Sequence, residues 1–351
     1  MPLYALGSNG SGQLGVGSTV DISKPKFCPL PEPLSGKISK IVAGGNHTLL
    51  LLDDGTVYYS GVQYDGGVPS VSSSAPSTIF EEAYIFETMA GKVKFCSAWW
   101  EGSVFVDQDD CVFTAGLGSK GEQGTGGSSD SVALRGLQYF PEDRNHEWGK
   151  VVDLASAVDH TVAIISDGSV WGWGNGRKGQ LDVPTEIAWQ PRRFENSGYS
   201  VARVFCGRDF TFLMNKDGTH KVLGTHKWQL QQDGLSQIAG WKDVGVSWGS
   251  VFVLKGDGKV ESWGRNDHGQ LAPPGLPDIE KIAVGSEHVV ALTKDGKVIS
   301  WGWGEHGNCG AGTDENGDIK GKWNEIPTDP DEKVVGVGAG CATSFFWTEA
   351  M

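Results

Sequence analysis

KIAVGSEHVVALTKDGKVISWG, residues 281–302, contains the whole structural unit of this chain. An apolar run is followed by a Gly-x-x-His loop, a second apolar run, Asp-Gly, and a third run ending in Gly. Short runs rich in Val, Ile, Leu and aromatics and bounded by Gly or Asp read as β-strands. Asp-Gly reads as a tight hairpin, because Gly supplies the positive φ such turns need. The phrase returns as KIVAGGNHTLLLLDDGTVYYSG at 40–61, VVDLASAVDHTVAIISDGSVWGWG at 151–174, VARVFCGRDFTFLMNKDGTHKVLG at 201–224 and KDVGVSWGSVFVLKGDGKVESWG at 242–264. A degenerate copy, KVKFCSAWWEGSVFVDQDDCVFTAG, fills 92–116, with Asp109-Asp110 in place of Asp-Gly. A period of this length means stacked supersecondary units.

The glycines that close the third run are Gly7, Gly61, Gly116, Gly174, Gly224, Gly264 and Gly302, seven in all. Six follow a full copy. Gly7 follows only PLYAL, a third strand by itself, and the missing first two strands stand at the other end as KVVGVGAG (333–340) and ATSFFW (342–347). Pairing the two ends in one sheet removes the open edges of a linear stack. The expectation is an all-β, seven-bladed β-propeller spanning 1–351 as one domain. Its closing blade is built from both termini: about 333–347 plus the N-terminal strands. The stretches 62–91, 117–149 and 303–332 read as surface excursions holding the fourth strand of each blade, and Pro76–Gly91 as room for a short helix.

Glycine stands at 52 of 351 residues, about twice ordinary usage. Its periodic placement signals turns rather than disorder. Charge is 29 basic against 43 acidic residues, a net of −14, so the long-range field disfavours nonspecific contact with nucleic acid or an anionic membrane. The six cysteines include no C-x-x-C pair, and Cys96, Cys206 and Cys341 fall in or beside apolar runs, as buried free thiols do. The start, MPLYALGSNGSG, has neither the charged nor the apolar region of a signal peptide, and no run reaches membrane-spanning length. A reducing compartment, cytoplasmic or nuclear, is expected.

Several motifs invite chemistry the context does not support. Gly174-x-Gly176-x-x-Gly179 and Gly302-x-Gly304-x-x-Gly307 match a dinucleotide fingerprint but lack a βαβ setting. His47, His160 and His288 each lie eight residues before a hairpin Gly, where other copies carry Gly102, Phe210 and Ser250. An imidazole exchangeable with a phenyl ring reads as a filler or tether, and repeat positions spread round a ring do not converge on one metal. No nucleophilic triad spacing is present. The reading is noncatalytic, with no metal and no cofactor. Trp171, Trp263 and Trp301 read as equivalent third-strand residues packed between sheets, each indole N–H reaching a loop carbonyl.

In a four-stranded meander the first–second and third–fourth connections share a face, and the Asp-Gly hairpins lie opposite. Loops on the first face vary between copies: SAWWEG (97–102), GRDF (207–210), SWGS (247–250), GSEH (285–288) and GWGEHGN (302–308). Trp99, Trp100, Trp248 and Trp303, with Glu101, Arg208, Asp209, Glu287, His288, Glu305 and His306 around them, make a candidate partner-binding surface of aromatic anchors and polar rim. The alternative is that one or two of these tryptophans fill the mouth of the central channel.

A second phrase follows the third-run glycine: GSNGSGQLGVG at 7–17, GNGRKGQLD at 174–182 and GRNDHGQLA at 264–272. Together with the Gly-x-x-His and Asp-Gly phrases, it resembles the regulator-of-chromosome-condensation repeat family over nearly the whole chain. That resemblance implies a seven-bladed propeller. WGWGEHGNCG (301–310) and GCATSFFW (340–347) are similar to a subgroup of that family. Its implied partner is the small zinc-binding electron carrier of diphthamide biosynthesis, held as a heterodimer. Its implied role is support of diphthamide formation and of Elongator-dependent modification of the tRNA wobble uridine, with any link to Elongator indirect. The family also implies an alternative, guanine-nucleotide exchange on a Ran-type small GTPase, through an Asp two residues before the His. Gly45, Trp100, Val158, Arg208, Trp248 and Ser286 occupy that place here, while Asp159 and Asp209 stand one place later. An adaptor for some other partner is a third reading.

Overall fold

The strands fall where the repeat places them. The computed structural model describes residues 1–62, 76–83, 92–127, 135–137, 149–195, 201–231 and 237–351. The chain opens with β1 (Leu3–Gly7) and β2 (Ile22–Cys28). The first blade is β3 (Ile38–Ala43), β4 (His47–Leu52), β5 (Val57–Gly61) and β6 (Ser77–Glu82). The second is β7 (Val93–Trp99), β8 (Gly102–Asp107), β9 (Val112–Gly116) and the two-residue β10 (Arg135–Gly136). The third is β11 (Val151–Ser156), β12 (His160–Ile165), β13 (Val170–Asn175) and β14 (Ile187–Arg193). The fourth is β15 (Val201–Cys206), β16 (Phe210–Asn215) and β17 (His220–Gly224), and the fifth β18 (Trp241–Val246), β19 (Ser250–Lys255) and β20 (Val260–Gly264). The sixth is β21 (Ile279–Val284), β22 (His288–Thr293), β23 (Val298–Trp303) and β24 (Asp318–Ile326), and the chain ends with β25 (Glu332–Ala339) and β26 (Thr343–Ala350).

Each blade is an antiparallel meander, and the seventh sheet has the order β2-β1-β26-β25. β1 pairs β26 from Leu3 opposite Trp347 to Gly7 opposite Thr343, so the two ends of the chain close the ring. The apolar core is divided among seven wedges, one at each junction between blades. This explains why the second strands show no alternation. β4, β8, β12 and β22 are buried at every residue, because a neighbouring blade covers each face. Each fully buried Leu, Val, Ile or Phe there contributes about 1.5–3 kcal/mol. First strands bury every third residue or so and turn the rest toward the central channel.

The seven phase glycines have one cause. All adopt positive φ, from 97° at Gly61 to 127° at Gly116. A Cβ on any of them would fall 2.3–2.6 Å from the carbonyl oxygen of the residue that precedes the second strand, Asn46 for Gly61 and Glu287 for Gly302 among them. Backbone conformation and backbone approach both demand glycine.

Two expectations need correction. Pro76–Gly91 contains no helix in its described part: Ser77–Glu82 is β6, pairing with β5, and residues 84–91 lie outside the described residues. Edge pairing with β5 decides it, with Ser77 and Phe80 buried while Glu81 and Glu82 face out and the register shifts between Tyr59 and Gly61. Nor does every blade show a fourth strand; among the described residues the fourth and fifth blades have three. The Gly-less turn keeps its hairpin, because Asp110 itself takes φ 64°. There Asp107 accepts the backbone N–H groups of Asp109 and Cys111.

Candidate docking face

The loops that join first to second strands meet those that join third to fourth, as the meander requires. Trp303 N–H donates to the Glu287 carbonyl at 2.9 Å, and Lys120 pairs with Asp159 at 3.0 Å. Beneath them runs a layer of tethers between blades. His47 Nε2 lies 2.9 Å from Ser103 Oγ, His160 Nε2 3.2 Å from Thr211 Oγ1, and His288 Nε2 2.9 Å from Ser344 Oγ. Each partner stands at the second residue of the next blade's second strand. Where that residue is Val251, the tether position holds Phe210, which needs no hydrogen bond. Burial depresses all three imidazoles to about 4, so they are neutral at neutral pH.

The second blade fills the same space from the other side. Gly102 occupies its tether position, and Trp99 lays its indole where the His would be: a Cβ on Gly102 would fall 2.0 Å from Trp99 Cζ2. In the first blade the sizes reverse, and a Cβ on Gly44 would fall 2.3 Å from His47 Cε1. Trp99 is 1% exposed and donates Nε1–H to the Leu117 carbonyl at 2.9 Å. Three candidate partner residues are therefore structural. Trp99 and His288 are seam fillers. Glu287 is buried at 4% exposure, paired with Arg265 and accepting Gln270 Nε2–H at 2.7 Å. Burial pushes its carboxyl up, against the pull of Gln270 and Arg265.

The third-strand tryptophans also need one correction. Trp173, not Trp171, matches Trp263 and Trp301, each standing just before the phase glycine. Their Nε1–H groups donate to the carbonyls of Glu122, Leu230 and Gln270, in the loop of the preceding blade, at 2.9, 3.1 and 2.9 Å. Trp171 is half-buried and donates to Ser169 Oγ within its own hairpin.

The remaining residues stay on the face. The innermost strands of all seven blades surround a channel of about 390 Å³. At its mouth Trp100 and Trp248 come together, ring centres 5.8 Å apart and tilted by 47°. Trp100 is 38% exposed, and the exposed Arg208 stacks its guanidinium 5.5 Å from the centre of the Trp248 ring. Backbone bonds fix these loops across blades: Gly45 N–H to the Trp100 carbonyl, Trp100 to Val158, Arg208 to Trp248, Trp248 to Ser286 and Ser286 to Gly340. Trp100 and Trp248 thus both line the channel mouth, as the channel-filling reading expects, and Trp100 is in addition partly exposed. Glu101 and Glu305 are exposed, and Asp209 is half-buried. Trp303 is half-buried between His268 and His306, whose ring centres lie 6.2 and 5.4 Å away. His306 Nδ1 is 2.8 Å from Asp21 Oδ2.

One exposed tryptophan on this face was not among the sequence candidates. Trp228 is 47% exposed in the loop after β17, with the Arg265 guanidinium 5.5 Å from its ring centre. The loop after a phase glycine, here THKWQL in place of the usual Asn and Gly-Gln, was the available signal. Among the described residues no three His, Cys, Asp or Glu side chains gather in a metal-holding group. The thiols are all free, and burial pushes Cys96 and Cys341 up to about 11.

The RCC1-like domain family matches residues 2–346. An RCC1 repeat-containing protein of Schizosaccharomyces pombe is 30% identical over 307 residues, covering 82% of this chain and 83% of that protein. The secretion-regulating guanine nucleotide exchange factor of Bos taurus is 26% identical over 302 residues, 77% of this chain and 61% of that one. The E3 ubiquitin-protein ligase HERC2 of Homo sapiens is 27% identical over 82% of this chain, which spans 6% of the ligase. Among solved structures, Prp20p of Saccharomyces cerevisiae, studied for its binding to Gsp1p and histones, superposes with a TM-score of 0.84 at 21% identity, over 100% of this chain and 92% of that one. This last similarity speaks to the fold.

Proposed function

Because the chain belongs to the RCC1-like domain family of β-propellers, we propose that it is a noncatalytic docking protein that receives a partner on the face carrying Trp100, Trp248 and Trp303. The observation that carries this reading is the Trp100–Trp248 pair with Arg208 stacked on it, an aromatic surface left open at the channel mouth. Large aromatics that are pre-set by backbone bonds lose little freedom on binding and serve as anchors. Glu101, Asp209, Glu305 and His306 supply the rim. The proposed partner, from the resemblance of residues 301–310 and 340–347, is the small zinc-binding electron carrier of diphthamide biosynthesis. On that reading the propeller covers part of the carrier and governs which redox partner reaches it, in the cytoplasm or nucleus. It thereby supports diphthamide formation and Elongator-dependent wobble-uridine modification.

Titration calorimetry of the purified carrier against the wild-type chain and its Trp100→Ala, Trp248→Ala and Trp303→Ala variants tests both parts. At least one variant is expected to weaken binding by about 2 kcal/mol or more. Unchanged affinity in all three sinks the face, and no binding to the wild type sinks the carrier. The exchange-factor reading is kept because a guanine nucleotide exchange factor is among the relatives. It ranks second, because none of the six residues two before the tether position is Asp. Accelerated nucleotide release from purified Ran would reverse the order.

A further inference from the structure

The docking face carries a group of exposed cations on two neighbouring blades. Over the third and fourth blades it carries Arg177, Lys178, Arg208 and Lys227, all exposed. Among the described residues no carboxylate lies within ion-pair distance of any of the four, although the chain as a whole carries −14. Half-buried Asp209 follows Arg208 in the same loop, the exposed Glu101, Glu305 and Asp21 lie on other blades, and the further arginine nearby, Arg265, is neutralised by Asp267 and Glu287.

The cationic sector is built around tryptophan. Arg208 stacks on Trp248, and Trp248 is continuous with Trp228 through Gly249, where an added Cβ would meet Arg265 Cβ at 3.0 Å and Trp228 Cδ1 at 3.6 Å. Lys227 precedes Trp228 in the chain. The loop bearing Arg177 and Lys178 abuts the same blade, with Gly179 against Gly224. Trp228 and Gln229 both hold φ in the left-handed region, 63° and 53°. That conformation is unfavourable for side chains of their size, and here it presents the indole outward.

We propose that this sector docks a short acidic segment of a partner protein, with its apolar side chains on Trp228 and Trp248 and its carboxylates on Arg208, Lys227, Arg177 and Lys178. The inference rests on the docking reading above and adds the partner's chemistry to it. Four cations without an ion pair among the described residues, beside the exposed Trp228 and the half-buried Trp248, match carboxylates alternating with apolar side chains. A nucleic acid fits less well. A phosphate chain longer than the sector would run onto Glu101, Glu305 and Asp21, and the −14 field opposes a long polyanion.

The test is selection of a displayed random twelve-residue peptide library on the full chain and, in parallel, on Arg208→Glu and Trp228→Ala, with thermal melting to show that the variants fold. The wild type is expected to enrich peptides with Asp or Glu next to Trp, Phe or Leu. The best of them should bind at least tenfold more weakly to each variant and lose affinity as salt rises. Selection on Arg208→Glu should lose the acidic bias. No enrichment, a basic bias, or the same acidic peptides on Arg208→Glu would overturn the proposal. A twenty-nucleotide oligouridine that binds more tightly than the peptides and is lost on Arg208→Glu would also overturn it, in favour of nucleic acid. Carrier binding undiminished in both variants contradicts this proposal and leaves the docking reading intact. Acidic peptides held through Arg208 by a chain that ignores the carrier uphold it and remove only the carrier.

Discussion

Trp99 and Trp100 are neighbours in sequence and opposites in role. Trp99 is 1% exposed, fills the space that His47 fills one blade earlier, and hydrogen-bonds the Leu117 carbonyl. Trp100, one peptide on, is 38% exposed and leans on Trp248 at the channel mouth. A strand alternates its side chains, so the last strand residue points into the seam and the next one leaves it. Residue type therefore says little about role on this face; the phase of the residue against the repeat decides it. The same contrast separates His288, locked to Ser344, from His306, paired with Asp21 near the surface.

The largest test of this contrast is Trp99→Ala, which should cost about 3–5 kcal/mol of stability, measured by denaturant unfolding, because the surrounding backbone cannot collapse onto the cavity. Exchanging the fillers sharpens it: Trp99→Gly with Gly102→His rebuilds the first blade's arrangement, with the Thr161 hydroxyl as acceptor or donor. The double variant should recover about 1–2 kcal/mol relative to Trp99→Gly, in the range of coupled neighbours. No recovery would mean that the two seams are not equivalent.

Acid gives the next effect. His47, His160 and His288 have folded values of about 4 against an ordinary 6.5. Between those limits the unfolded chain takes up protons that the folded chain refuses. The stability they supply is complete above pH 6.5 and is lost as the pH falls toward 4. A shift of that size amounts to about 3 kcal/mol for each fully buried imidazole. Melting temperature followed from pH 7 to 4.5 should fall, and less steeply in His288→Gln. An identical slope in that variant would remove the tether from the explanation.

Trp100→Ala is expected to have the smallest effect on stability, about 1 kcal/mol or less, as at other exposed sites. A cost near that of Trp99→Ala would show that Trp100 serves the seam as well, and its place as an anchor would fall.

The seven-fold count and the closing blade were legible because they rest on backbone requirements. A phase glycine that touches a carbonyl and an Asp-Gly turn leave a fixed spelling in every copy. The tether rule was also written in the chain, His47, His160 and His288 facing Ser103, Thr211 and Ser344 while Phe210 faces Val251. It pairs residues about 50 positions apart, however, and shows only once the junctions are known. The candidate site was read less well. Trp99, Glu287 and His288 lie in the right loops but point inward, and Trp228 lies in a loop whose phrase departs from the repeat.

Sequence by itself determined that this chain is a closed ring of seven sheets, because local turn chemistry and strand patterning repeat and the two ends complement each other. The tertiary structure alone decided which loop side chains are seam and which are surface. That depends on how a neighbouring blade covers each position, and the covering residue is a whole repeat away in the chain. The meeting of Arg208 with Trp248, and of the Arg177–Lys178 loop with the blade that carries Lys227 and Trp228, is likewise a product of packing, since these residues come from separate repeats.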